Sequence, residues 1–203
     1  MPDDPIPPKP PGWKPGDPEP KPPAPGEPEY VPPKTKPIMN PHSEALLSKV
    51  NPILAAKVRS MAEALAAQGI TIIVVQGLRT VAEQDALYAQ GRTAPGKIVT
   101  NAKGGQSWHC FGCAVDCAPE NKDGSIDWNA SHPQWKAMEA AGVAVGLVSG
   151  ANWVRFVDAP HFQLKTQFPE GAPDTEVREL YTKGGLQGVW DAIVPNVPEV
   201  ENV

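Results

Sequence analysis

The chain has 203 residues with a net charge of -5, enough material for one domain of ordinary size plus tails. The acidic balance argues against a nucleic-acid binder, which needs a basic face, and no apolar run reaches the roughly 18 residues of a membrane span. The first residues also lack a charged-then-apolar leader, so synthesis in the cytoplasm is expected, and any target outside it must be reached by another route.

Residues 1–40 hold 16 of the 26 prolines and almost no aliphatic side chains. Such a segment cannot bury enough apolar surface to offset its ordering entropy, and an extended, polyproline-like tail is predicted. Trp13 and Tyr30 are its candidate docking points, against the plainer reading of a solvated tail. From Ser43, a plausible N-cap, Leu46, Leu47, Val50, Ile53, Leu54, Val58, Met61 and Leu65 recur at helical spacing up to Gly69. Pro52 divides this into a short helix and a longer one over 52–68. Thr71-Ile72-Ile73-Val74-Val75-Gln76 suits a central strand and delivers Gly77 and Arg79 to a strand end. A helix over 81–90 ends at Gly91, and Arg92 to Gly105 reads as a polar loop. Asp123-Gly124-Ser125 reads as a turn, and Pro133 through Val145 as an amphipathic helix, with His132 in a capping or loop role. Two short helices around 175–181 and 186–193, split by Gly184-Gly185, offer Leu180, Leu186, Trp190 and Ile193 for packing. The expected organisation is a tail at 1–40, a domain at 41–170, a helical extension at 171–193 packed on it, and a frayed end at 194–203.

Two segments carry chemistry: Ser107-Trp108-His109-Cys110-Phe111-Gly112-Cys113-Ala114-Val115-Asp116, and Asp158-Ala159-Pro160-His161. His109, Asp116 and His161 are donors of the kind that zinc takes in hydrolytic sites, where three protein ligands leave a fourth place for water. Donors on one zinc lie roughly 3–3.5 Å apart. Yet a seven-residue separation is about 23 Å along a strand and about 10 Å along a helix. The chain must therefore reverse between His109 and Asp116, and Gly112, which can take φ > 0 cheaply, is placed to allow it. Beyond it, a strand over 114–118 puts Ala114, Asp116 and Ala118 on one face, leaving room around the carboxylate. Pro160 keeps Ala159 out of the helical region, so a turn leads into the strand His161-Phe162-Gln163-Leu164. Asp158 then hangs over the open position as a candidate proton acceptor, the alternative being a fourth ligand that closes the site.

Cys110, Cys113 and Cys117 suggest a second possibility, a metal knuckle with His109. All four would fall within nine residues without a second cysteine pair, so the cysteines are read as small core residues. Reduced thiols are expected.

Ser107, His109, Gly112, Ala114 and Asp116 match the S-x-H-x-x-G-x-A-x-D motif, and in this the chain resembles the zinc D-alanyl-D-alanine carboxypeptidase and L-alanyl-D-glutamate peptidase family. Trp153 through Phe162 looks like its second motif. Gln76-Gly77-Leu78-Arg79-Thr80 with Glu83-Gln84-Asp85-Ala86-Leu87-Tyr88 and Gly91-Arg92-Thr93 is similar to the phage endolysin branch. The resemblance covers roughly residues 43–165. It implies an α+β fold, a small antiparallel sheet flanked by helices as in Hedgehog-like and DD-peptidase domains. It also implies one zinc on His109, Asp116 and His161, with Asp158 as the base, and Arg79 facing a substrate carbonyl or carboxylate. Ser107 would either donate to substrate or only brace its loop. The implied activity is cleavage of the peptidoglycan stem peptide at L-Ala-D-Glu by a monomer acting on the wall after release from the cytoplasm. D-Ala-D-Ala carboxypeptidase activity is the alternative within the class, and a non-catalytic wall-binding module the alternative outside it. The cysteines depart from the family, which has aliphatic or polar residues there.

Overall fold

The computed structural model describes residues 38–193. The predicted tail up to residue 37 and the predicted frayed end at 194–203 lie outside the described residues. Nine elements follow in order: α1 (Pro41–Leu47), α2 (Pro52–Ala66), β1 (Ile72–Gln76), α3 (Val81–Ala89), β2 (Ala114–Pro119), α4 (Pro133–Ala144), β3 (Leu147–Ser149), β4 (His161–Leu164) and α5 (Thr175–Ala192). A 3-10 helix at Trp108–Phe111 precedes β2, and another at Gly150–Asn152 follows β3. The four strands pair antiparallel in the order β1-β2-β4-β3, the α+β arrangement expected.

The chain enters the fold two residues before the expected boundary, because Met39 is buried in the core and Asn40 caps α1 by accepting from the Ser43 amide at 2.8 Å. Ser43 is therefore not the N-cap. It sits buried inside α1, and its Oγ accepts from the Val74 amide of β1 at 2.9 Å. That contact explains a second departure. β1 is an edge strand rather than a central one. Its apolar composition reports burial by α1 and the core, and Ser43 satisfies a backbone donor that an open edge would leave to water.

Below the sheet, Leu54, Val58, Met61 and Leu65 of α2 and Trp135, Met138 and Ala141 of α4 form the core with Val115, Cys117, Phe162 and Leu164. A side chain added at Gly142 of α4 would collide with the Phe162 ring, so the glycine sets how closely α4 approaches β4. Because strand side chains alternate, the residues between these, Asp116, His161 and Gln163, share the opposite face. The sequence pattern thus gives the sheet one packed face and one that can carry chemistry.

At the other end, α5 is broken at Gly185 (φ 61°), matching the expected split, and residues on either side pack back. Val177 and Val189 are fully buried there, and Ile193 nearly so, whereas Leu186 stays partly exposed. Trp190 Nε1 donates to the Phe111 carbonyl at 2.7 Å, and Tyr181 meets the Phe111 ring edge-on at 5.4 Å. The helical extension thereby braces the 3-10 helix that carries His109.

Candidate metal centre

The sheet register builds most of the site. Asp116 of β2 lies opposite His161 of β4 on one side and, past a bulge between Val74 and Gln76, opposite Gln76 of β1 on the other. Residues directly opposite across antiparallel strands hold their Cβ atoms about 4.5–5.5 Å apart, so Asp116 and His161 meet without further adjustment. His109 is brought to them by the predicted reversal. Ser107 caps the 3-10 helix, Gly112 ends it at φ 64°, and the chain returns as β2. A β-carbon at Gly112 would also lie 3.0 Å from the Trp190 indole, so the turn needs a glycine for space as well as conformation.

The three side chains converge. His109 Nε2 lies 3.2 Å from Asp116 Oδ1 and 3.2 Å from His161 Nδ1, and the remaining edge, from His161 Nδ1 to Asp116 Oδ1, is 3.5 Å. Among the described residues this is the one group of three or more His, Cys, Asp and Glu placed to share an ion.

The hydrogen bonds around the group decide what its centre wants. His109 Nδ1 donates to the Gly77 carbonyl at 2.8 Å, which leaves Nε2 with a lone pair. Gln163 Nε2 donates to the Glu170 carbonyl at 2.7 Å, so its Oε1 faces His161 and accepts from His161 Nε2 at 3.0 Å. That leaves His161 Nδ1 with a lone pair too. Burial lowers the His109 pKa and keeps its ring neutral, while the Asp116 carboxyl pKa is held low against the opposing effect of burial, its Oδ2 paired with the Arg79 guanidinium at 2.6 Å. With both rings neutral, two imidazole lone pairs and a carboxylate oxygen point at one spot. The edges agree with the roughly 3.3–3.4 Å expected for donors around a tetrahedral ion with 2.0–2.1 Å bonds, so the residues fit zinc.

Gln163 was not anticipated. It stands two residues from His161 on the same strand face and fixes both the tautomer and the ring plane, as outer partners of metal-binding histidines do. Gln163→Leu is expected to weaken metal affinity about 10–100-fold in a chelator-competition titration. An unchanged affinity would refute this role.

Asp158 approaches from the turn before β4. Its amide donates to the Gly150 carbonyl at 3.0 Å and its carbonyl accepts from the His161 amide at 3.1 Å, so the turn carrying the acid is tied to the ligand strand. Its carboxylate makes no hydrogen bond or ion pair among the described residues, and burial, reinforced by the Asp116 charge, raises its pKa. The turn fits only because residue 150 is glycine: a Cβ there would lie 2.5 Å from the Asp158 carbonyl and 3.0 Å from His161 Cβ. Gly150→Ala is expected to cost about 1–3 kcal/mol in denaturant unfolding and to loosen metal binding with it.

Arg79 is largely engaged. Nη2 donates to Asp116 Oδ2 at 2.6 Å and Nη1 to Gln84 Oε1 at 3.1 Å, while Nε is buried without a partner. The guanidinium lines the same cavity, so it has donors left for a substrate after fixing the ligand carboxylate. Ser107 Oγ accepts from the His109 amide at 3.4 Å, the bracing role, and its hydroxyl proton remains for a ligand in the cavity it lines. Of the two places open to Trp153, packing beneath the second motif or lining the cleft, with packing the preferred one, the structure shows the second: it borders the cavity, its ring 4.9 Å from that of His161. His132 stands at the N-cap position of α4 without a capping bond, its Nδ1 2.8 Å from Asp127 Oδ2, away from the ion site. Cys110, Cys113 and Cys117 are buried free thiols, and burial pushes the Cys113 pKa up to about 12.

The whole arrangement opens on a cavity of about 990 Å³. Its wall includes His109, Asp116, Asp158 and His161, the loop residues Val99 to Ala102, Trp128, and Glu170 to Ala172.

Residues 47–178 match the VanY family, described as D-alanyl-D-alanine carboxypeptidase. The peptidoglycan L-alanyl-D-glutamate endopeptidase CwlK of Bacillus subtilis (strain 168) is 37% identical over 124 residues, 58% of this chain and 74% of that protein. Among solved structures, the Serratia marcescens L-Ala D-Glu endopeptidase ChiX is 25% identical, covering 64% of this chain and 92% of that one at a TM-score of 0.47. An L,D-carboxypeptidase, DacB from Streptococcus pneumonia, is 19% identical over 66% of this chain and 72% of that one, at 0.42.

Proposed function

This chain belongs to the VanY family of D-alanyl-D-alanine carboxypeptidases, and on that footing we propose that it is a zinc-dependent peptidase hydrolysing the L-Ala-D-Glu bond of the peptidoglycan stem peptide. The observation that carries the reading is the meeting of three donors beside a free, partly buried carboxylate. A binding module has no need of an unpaired acid at that place. The choice of bond follows the similarity to CwlK, the relative whose name specifies it.

His109, Asp116 and His161 would hold the ion, which when bound supplies Lewis acidity for the addition of water to the scissile carbonyl. Asp158 accepts one proton of the attacking water and returns it to the leaving amine, so that the C–N bond breaks to give an amine and a carboxylic acid, which loses the water's second proton to solvent, with no net proton change at the aspartate. Its raised pKa suits both halves of this exchange, because the carboxyl must gain and lose the proton in each turnover. Arg79 holds Asp116 in position and directs its remaining N–H groups at the oxygen that gains charge, while the Ser107 hydroxyl donates to the bound peptide.

The endolysin setting, a monomer meeting peptidoglycan after release from the cytoplasm, is part of the same proposal. It draws on the likeness of Gln76 to Thr80, and of the segments after it, to the phage branch. Clearing of permeabilised cells by added protein tests it, and intact turbidity would count against it.

Digestion of purified peptidoglycan with the zinc-loaded protein tests the reaction. New glutamate amino termini are the expected product. Free D-Ala would show the carboxypeptidase instead, and release of neither product would show a module that only binds.

A further inference from the structure

Trp128 is 61% exposed, among the largest apolar exposures in the described fold, and it lines the cavity of the metal centre. Among the described residues its ring and its N–H engage no partner. The loop presenting it is nonetheless fixed. Asp127, itself only 4% exposed, accepts from the Asn129 amide at 2.9 Å and from Gln134 Nε2 at 2.7 Å, and its Oδ2 lies 2.8 Å from His132 Nδ1. The Asp127 carbonyl accepts from Trp135 Nε1 at 3.1 Å, and its amide donates to the Pro119 carbonyl of β2 at 2.9 Å. A bare indole presented by a pinned loop at the edge of a cleft is a surface suited to a flat ligand face, since the ordering cost of the loop has already been met.

Position narrows the ligand. The loop joins β2 at Pro119, three residues along the strand from Asp116, which is about 10 Å of extended chain. In peptidoglycan the muramic acid sugar is linked through its lactyl group to the first alanine. Six bonds separate that alanine's carbonyl carbon from the pyranose ring, or about 7 Å when extended. For a cut after the first residue, that reach is of the same order as the strand path from Asp116 to Pro119, on which the Trp128 loop is pinned in the same cavity. For a cut between the terminal D-Ala residues, three more residues intervene, and the sugar falls roughly 10 Å further away.

Resting on the L-Ala-D-Glu reading above, we propose that Trp128 forms a sugar subsite, stacking on the apolar face of the N-acetylmuramic acid that carries the stem peptide. The enzyme then recognises glycan and peptide together.

Two measurements on the zinc-loaded full chain decide it. The first compares kcat/KM of wild type and Trp128→Ala on a disaccharide-tetrapeptide and on the same peptide without sugar. The variant is expected to lose on the order of tenfold on the first and less than about twofold on the second, with Trp128→Phe retaining most of the difference. The second follows binding of the peptide-free disaccharide by saturation-transfer NMR, with the expected signal present for wild type and lost in Trp128→Ala. Equal losses on both peptides, or no loss on either, overturn the subsite. If neither peptide is cleaved by wild type, the peptidase reading fails by itself, and the disaccharide signal alone then upholds or removes the subsite.

Discussion

Asp158→Ala is expected to lower kcat by about 10²–10⁴-fold while leaving one metal ion per chain, whereas His161→Ala loses the ion and the activity together. The separation follows from the hydrogen bonds. His161 Nδ1 is one of three donors within 3.5 Å of each other, and Asp158 is not among them. The Asp158 backbone is held at both ends by Gly150 and His161, so removing its carboxylate leaves the turn in place. Metal analysis of the purified variants, alongside turnover, checks it, and an Asp158→Ala protein without metal would show the acid to be a ligand. A pH profile adds a second reading. The carboxyl must be ionised to take a proton, so kcat/KM of wild type should show an acid limb that is absent in Asp158→Ala. Burial raises the Asp158 pKa, and that shift has a stability sign. A carboxyl whose folded pKa is raised stabilises the apoprotein below its unfolded pKa, and that stability is lost as pH rises through the folded pKa. At neutral pH in chelator, Asp158→Asn should therefore be no less stable than wild type, as expected where a site keeps an unfavourable charge for its chemistry.

Much of this was legible in the residues because the signals were local. Pro160 and the apolar run after it fixed the turn and the strand His161–Leu164, and Gly112 marked the reversal that the structure places at φ 64°. What escaped depended on partners distant in sequence. Gln163 reads as an ordinary strand residue until the Glu170 carbonyl takes its amide and turns its oxygen to His161. Gly150 sits in an unremarkable Ser149-Gly150-Ala151 stretch, and its necessity comes from the Asp158 carbonyl that packs on it. The three-residue β3 is too short for any alternation to show. β1 was placed at the centre of the sheet because its composition reports burial and not neighbours, and Ser43 supplies from a helix what a neighbouring strand would have supplied. Arg79 was assigned wholly to the substrate because nothing near it in sequence reveals Asp116, 37 residues on, as its first partner.

That partnership gives Asp116 two jobs, and Asp116→Ala should show both losses. One is the ion, since a donor at 3.2 Å from His109 Nε2 disappears. The other persists without metal. Arg79 would keep a guanidinium whose side chain is only 13% exposed, with Nε already unpartnered and its direct ion pair gone. Removing one member of such a buried pair costs about 3–5 kcal/mol, because the remaining charge stays desolvated. Urea unfolding in excess chelator isolates this term from the metal. A second substitution, Arg79→Met, should recover most of it in the double variant while leaving metal binding absent, since the stranded charge is gone but the ligand is not restored. Acid supplies the sign. Asp116 has its folded pKa held below the unfolded value, so its contribution is present above the unfolded pKa of about 4 and is lost as pH falls toward the folded one. The stability gap between wild type and Asp116→Ala should accordingly narrow below about pH 4. A gap that persists undiminished into strong acid would assign the loss to packing, and the carboxylate would then be a ligand only.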